Sequence, residues 1–185
     1  MHILMYGCLI AALILVIGFN LQTRRVVRRY PSQVVDANLA PSEKWRVNLL
    51  LQTRLAKFSP QVYLQNRNLG FWMFAFCGTT FASLALLAGT VQATVIAPVW
   101  PLLMGISAIG FGVTRIKLYG AQLVGWQQLL QNAPEQAQQW QLDQVELTQV
   151  QARVQALTRL QYLLIAVLLL LAVSFELAIL TLLTW

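Results

Sequence analysis

The chain has 185 residues, 58% of them apolar and only 10% charged, with a mean hydropathy of +0.62. An ordinary soluble domain carries about 25% charged residues, so that class is excluded. The apolar residues fall in long runs and not in short alternations. That marks an all-α integral membrane protein with roughly 100 residues outside the bilayer, in pieces too small for a large enzyme domain.

Four stretches qualify as spans: 3–19, 70–91, 95–113 and 162–185, the first three free of charge. A helix rises about 1.5 Å per residue and satisfies its own backbone, so each can cross a hydrocarbon core of roughly 30 Å. The formal charge of +7 lies almost wholly after the first span. Segment 20–69 holds nine Lys or Arg against Asp36 and Glu43, and 114–161 holds four against Glu135, Asp143 and Glu146. This placement points to topology and lipid contact. Nucleic acid is not expected as a partner, because no basic and aromatic binding module is present.

Arg24, Arg25, Arg28 and Arg29 follow the first span directly, and only Met1 and His2 precede it. The positive-inside bias then places the N-terminus outside, and an even number of crossings places the C-terminus there too. Both longer segments become cytoplasmic, and Gln92, Ala93 and Thr94 form a tight external turn. A cleaved signal peptide would need a basic n-region and a small-residue cleavage site, so the first span is expected to stay as an anchor. Cys8 and Cys77 differ in depth by roughly 8 Å, which is beyond disulfide reach, and are expected to pack as small apolar groups.

Tyr30-Pro31-Ser32 should stop any helix that continues through the arginines, and Ala40-Pro41-Ser42 opens a new one. Ser42 is the expected cap of a helix running to Phe58, ended by Ser59-Pro60. Val47, Leu51, Leu55 and Phe58 make an apolar stripe beside Lys44, Arg54 and Lys57, with Trp45 as an interfacial anchor. The expectation is a helix lying flat on the membrane, the alternative being a stripe docked on a partner subunit. The basic set Arg24, Arg25, Arg28, Arg29, Lys44, Arg54 and Lys57 should favour anionic headgroups, each worth on the order of 1 kcal/mol near the surface.

Within the bilayer, small residues line one face of the second span (Gly78, Ala82, Ala85, Gly89) and of the third (Gly105, Ala108, Gly112). Such stripes let backbones approach where lipid gives no hydrophobic drive, so the two spans are expected to form a tight hairpin. Pro98 and Pro101 fall in the first turns of the third helix, where a missing donor costs little.

The second cytoplasmic segment is rich in glutamine, yet Leu147, Val150, Val154, Leu157, Leu160 and Leu164 step by three or four. Asn132-Ala133-Pro134 interrupts it, which predicts a helical hairpin: an arm over 118–130, a turn, then a second arm from about Pro134 running straight into the fourth span. Its apolar face needs a mate, namely the first arm, the helix of the first loop, or another chain in a coiled coil.

The fourth span contains Glu176, the only acid in any span. A charge there costs about 2.5 to 3.5 kcal/mol on insertion scales, so the group should be neutral, paired or hydrated. At about 1.5 Å per residue, Tyr6, Ser83 and Trp100 lie at similar depth and are candidate hydrogen-bond partners. Three readings stay open: glue between helices, an ion or proton site, or a contact for a neighbouring subunit or a pigment or haem. No cofactor is predicted otherwise, and a lone His2 is a weak ligand signal.

There is no glycine-rich phosphate loop and no zinc-spaced Cys/His cluster, and no pair of carboxylates is positioned for acid–base work in one segment, so catalysis is not expected. The leading expectation is a non-catalytic accessory, scaffold or assembly subunit of a larger membrane complex, with integral subunits or its own copies as partners. The runner-up is an oligomeric ion or proton channel built on Glu176. Gln-rich, Lys-poor usage allows a thylakoid-type membrane beside a bacterial inner membrane.

Overall fold

The computed structural model describes residues 2–29, 40–89, 96–140, 142 and 145–183, without the side chains of His2, Pro41, Lys44 and Trp45. The expected Tyr30-Pro31-Ser32 stop, the 92–94 turn and the residues beside Trp185 lie outside them. So do any ligation by the His2 side chain and the contacts proposed for the Lys44 and Trp45 side chains. Every regular element among the described residues is an α-helix: α1 (His2–Arg29), α2 (Pro41–Phe58), α3 (Pro60–Leu87), α4 (Val99–Asn132), α5 (Pro134–Gln139) and α6 (Leu147–Leu183). Helices α1, α3, α4 and α6 are long and apolar enough to cross a membrane, as in a multi-pass membrane protein.

The residues group into two units. Unit 1 comprises Met1–Leu21, Leu69–Thr114 and Leu160–Trp185; unit 2 comprises Gln22–Asn68 and Arg115–Arg159. Charge divides along the same line. All 13 Lys and Arg and five of the six acids belong to unit 2, and Glu176 is the one charged side chain type in the sequence of unit 1.

In unit 1, α3 and α4 run antiparallel. Trp72 of α3 lies on Gly110 of α4, where a Cβ would fall 2.6 Å from the ring's Cε2, and Leu86 meets Ala97 and Ile179 at the other end. Helix α6 is antiparallel to α4: Gly105 faces Leu169 and Ala172, both 3.7 Å from where its Cβ would be, and a Cβ on Gly112 would overlap Ile165. Helix α1 is held along one narrow seam, with Ala12 the only buried one among its described side chains at 1% exposure and Met5, Cys8, Leu15 and Phe19 half-buried at helical spacing beside it. Only 6% of its apolar window is buried, against 33% for α4. Lipid gives no hydrophobic drive for helix association, so packing alone holds α1, and most of its packing surface is unused.

Several boundaries differ from expectation for identifiable reasons. Helix α3 starts ten residues before the second span, because Pro60 ends α2 and also opens α3 at the position where a missing N–H costs least. It stops at Leu87, since Gly89 takes φ +69° and closes the end with its N–H on the Leu86 carbonyl at 3.1 Å. Helix α4 joins the third span and the 118–130 arm without interruption, no breaker standing between them. Pro98 precedes α4 in a turn and Pro101 is its third residue. The second arm is broken: α5 ends at Gln139, and the long helix begins at Leu147, with Glu146 accepting from the N–H groups of Gln149 and Val150 at 3.1 Å. From there α6 does run straight through the fourth span.

The cap of α2 is also corrected. Ala40 occupies the cap position and Ser42 lies inside the first turn; the Ala40 N–H donates to Glu43 Oε2 at 3.1 Å. Glu43 thus supplies half of a capping box that lacks its hydroxyl half.

In unit 2 the apolar stripe of α2 is occupied. Leu55 is 1% exposed and packs with Trp126 and Leu129 of α4, Ala137 of α5, Leu142 and Val145, with Leu51 and Phe58 against the same cluster. Leu51, Leu55 and Phe58 of this stripe therefore have an intramolecular mate. Gly125 of α4 permits the approach: a Cβ there would stand 3.2 Å from the Leu55 carbonyl oxygen.

Candidate functional site

Glu176 lines an apolar slot of about 310 Å³ between α4 and α6 in unit 1, together with Pro101, Gly105, Ile109, Leu169, Ala172 and Val173 among others. The antiparallel pairing puts Pro101, Glu176 and Leu177 at one end and Ile109 and Leu169 at the other. Eight residues of helix separate the ends, about 12 Å. The slot is open along a rim of exposed Leu102, Ile106, Ile109 and Val173. Glu176 Oε2 is buried and has no hydrogen-bond partner among the described residues.

The three partners expected for Glu176 do not serve it. Ser83 is fully buried, but its hydroxyl donates to the Thr79 carbonyl of its own helix at 2.9 Å. Tyr6 is 58% exposed and Trp100 40% exposed, and no hydrogen bond to Glu176 is found from either. Four further hydroxyls of unit 1 behave like Ser83. Ser107 donates to Met104 O, Ser174 to Leu170 O, Thr79 to Ala75 O and Thr80 to Phe76 O, all at 2.7–2.9 Å. A hydroxyl has one hydrogen to give, so depth alone is not a sufficient criterion: carbonyls three and four residues back compete for the same donors.

The two small-residue stripes have different fates. Gly105 and Gly112 pack on α6, not on α3, and Ala108 is completely buried beside them. On α3, Gly78 is exposed with open space around it, Ala82 and Ala85 are half-buried, and Gly89 is the helix stop. The α3–α4 hairpin exists, but it closes through Trp72 on Gly110, a glycine lying off the 105/108/112 stripe. Cys8 and Cys77 are free thiols.

The basic residues of unit 2 also divide. Arg24, Arg25, Arg28 and Arg29 are exposed on the last turns of α1. Arg54 lies over the Trp140 ring with its guanidinium carbon 5.1 Å from the centroid, Lys57 Nζ is 5.9 Å away, and Phe58 meets the same ring edge-on at 6.1 Å. Cation–π attraction of about 0.5–1 kcal/mol each gives these two cations a structural role that the sequence did not signal. Arg115 Nε donates to Tyr119 Oη at 3.1 Å. Burial lowers the Arg153 guanidinium below its ordinary value, opposed by Tyr119.

No family model, curated protein or solved structure matches this chain. The function has to be argued from the geometry. Among the described residues no three His, Cys, Asp or Glu side chains come together as metal ligands. The feature with chemical consequence is the slot: one carboxyl, apolar walls and a missing donor. Sequence reasoning found its acid. It missed the walls, because Pro101, Ile109 and Val173 read as ordinary apolar residues, and it missed Gln161, whose buried Oε1 also lacks a partner.

Proposed function

We propose that the chain is a non-catalytic accessory or assembly subunit of a larger membrane complex, set in a bacterial inner membrane or thylakoid-type membrane with both termini on the external or lumenal side. The observation that carries this reading is the thin attachment of α1. The part of α1 in unit 1, residues 2–21, meets the rest of that unit along a single seam at Ala12, leaving Ile3, Leu4, Ile10, Ile14 and Ile17 outward, each 58% exposed or more. The open notch at Gly78 of α3 is a second outward feature, suited to close approach by another helix. Arg24, Arg25, Arg28 and Arg29 extend the contact to anionic headgroups or to a partner on the basic side.

Gentle extraction followed by affinity capture and mass spectrometry tests this. The expected result is stoichiometric recovery of other integral membrane proteins, diminished by Gly78→Leu. Recovery of the chain alone as a stable monomer would overturn the reading. The buried, unpartnered oxygen of Glu176 favours a second reading, an oligomeric ion or proton channel. Liposome flux that disappears in Glu176→Gln would support it, and absence of flux under any gradient would remove it.

A further inference from the structure

We propose that an open groove between α3 and α4 in unit 2 is a binding site for the head of an anionic membrane phospholipid, a phosphodiester of single negative charge whose head group is uncharged and carries hydroxyls. The inference rests on α3 and α4 crossing a membrane and not on the subunit reading. The groove holds about 260 Å³. Ser59, Gln61 and Gln65 line it around the start of α3, and Lys117, Gly120, Ala121 and Val124 line it from α4. The helices run antiparallel, and Gly125 fixes the register, since a Cβ on it would stand 3.5 Å from the Ser59 Cβ. Ser59 and Val124 therefore mark one end, and Gln65 and Lys117 the other, about 9 Å away over six residues.

Sequence distance tells which end adjoins the bilayer. Lys117 comes four residues after the apolar span 95–113, and Gln65 five before the span 70–91. A lipid phosphate at the membrane surface thus meets the Lys117 end, in the kind of basic pocket between membrane-crossing helices where head groups settle. Lys117 is exposed and is the one charged residue lining the groove among the described residues. One cation matches one phosphodiester charge.

The far end selects the head. Ser59 is 5% exposed; its N–H donates to the Leu55 carbonyl and its own carbonyl accepts from the Val62 N–H, both at 2.9 Å. Its hydroxyl bonds to no other described residue. A spare hydroxyl at a nearly buried position, with the Gln61 amide on the same wall, is satisfied by groups that both donate and accept, and head-group hydroxyls do both. An ammonium head is disfavoured twice. No acid lines the groove among the described residues, and the first turn of α3 presents the positive pole of its helix. Ethanolamine, choline and serine heads are set aside on both counts, and a bare phosphate leaves Ser59 unused.

The test titrates the full chain in mild detergent with dioleoyl lipids and counts bound lipid by native mass spectrometry. Phosphatidylglycerol is the probe; phosphatidylserine, equal in net charge, and phosphatidic acid, which lacks a head, are the controls. One phosphatidylglycerol should be held about fivefold tighter than phosphatidylserine, and Lys117→Gln should weaken it about fivefold, the worth of one cation near the surface. Ser59→Ala should weaken phosphatidylglycerol about fivefold, the worth of one hydrogen bond, and leave phosphatidic acid unchanged. Gly120 has nothing within 4 Å of where its Cβ would stand, so Gly120→Leu fills the groove and spares the fold. With an undiminished melting temperature, that variant should lose the preference for phosphatidylglycerol. Equal binding of phosphatidylserine, no effect of either Lys117→Gln or Gly120→Leu, a Ser59→Ala loss shared by phosphatidic acid, or displacement by an equal concentration of soluble glycerol phosphate would each overturn the proposal.

Discussion

At the scale of single residues, glycine has three separate uses in this chain, and only the surroundings tell them apart. Gly112 accepts the Ile165 side chain into the space its own Cβ would fill, Gly89 supplies a left-handed turn, and Gly78 faces open space. Gly112→Ala should therefore lower the apparent melting temperature in detergent by the equivalent of about 1–3 kcal/mol, the usual cost of overpacking. The same change in an Ile165→Ala background should cost measurably less, because the overlapping atoms are gone. Gly78→Ala should be neutral or stabilising, since alanine is the better helix former by about 1 kcal/mol and nothing stands in its way. Gln161 offers the opposite lesson. It is 2% exposed with its Oε1 unpartnered, so Gln161→Met, nearly isosteric and without the amide, should raise the melting temperature by the equivalent of about 1 kcal/mol. A fall would mean that the amide has an undetected partner.

At the scale of elements, the stops and starts carry more information than the spans. Gly89 ends α3 at φ +69°, a conformation that asparagine tolerates far better than valine. Gly89→Val should destabilise the chain by more than 1 kcal/mol, with Gly89→Asn close to the parent in the same thermal scan. Trp140 secures the short connection between α5 and α6, meeting Phe58 edge-on and lying under Arg54 and Lys57. Trp140→Ala should cost on the order of 3 kcal/mol and make the chain around residue 140 the first site of limited proteolysis. Trp140→Phe keeps the ring and should lose far less.

These elements also show what the sequence could express. Apolar runs located all four long helices, and the Asn132-Ala133-Pro134 and Ser59-Pro60 breakers fell where helices end, because backbone chemistry is local. The second arm starts at Pro134 as expected, but its break after Gln139 is illegible in the sequence because it is made by long-range packing of Trp140, Leu142 and Val145 into the unit 2 cluster, with no glycine or proline to announce it. The partners of Glu176 were misplaced for a related reason. Depth along a helix can be counted from sequence, but whether a serine hydroxyl is already donating to its own backbone cannot. The role of Trp72 was illegible too, since the notch that receives it, Gly110, lies 38 residues further along the chain.

At the scale of the whole molecule, the governing regularity is the separation of charge. Thirteen cations and five acids belong to unit 2, and unit 1 has Glu176 alone. The account rests on unit 1 being embedded in lipid and unit 2 lying in water on a single side. Removing Cys8 and Cys77 and introducing Arg28→Cys, Gln138→Cys, Phe81→Cys or Ile106→Cys one at a time gives the direct measurement, a membrane-impermeant maleimide applied to sealed vesicles of either orientation. Arg28→Cys and Gln138→Cys are predicted to react from one and the same side, and Phe81→Cys and Ile106→Cys, both outward-facing in unit 1, from neither. Reaction at Phe81→Cys or Ile106→Cys as fast as at the unit 2 positions, or reaction of Arg28→Cys and Gln138→Cys from opposite sides, would contradict it.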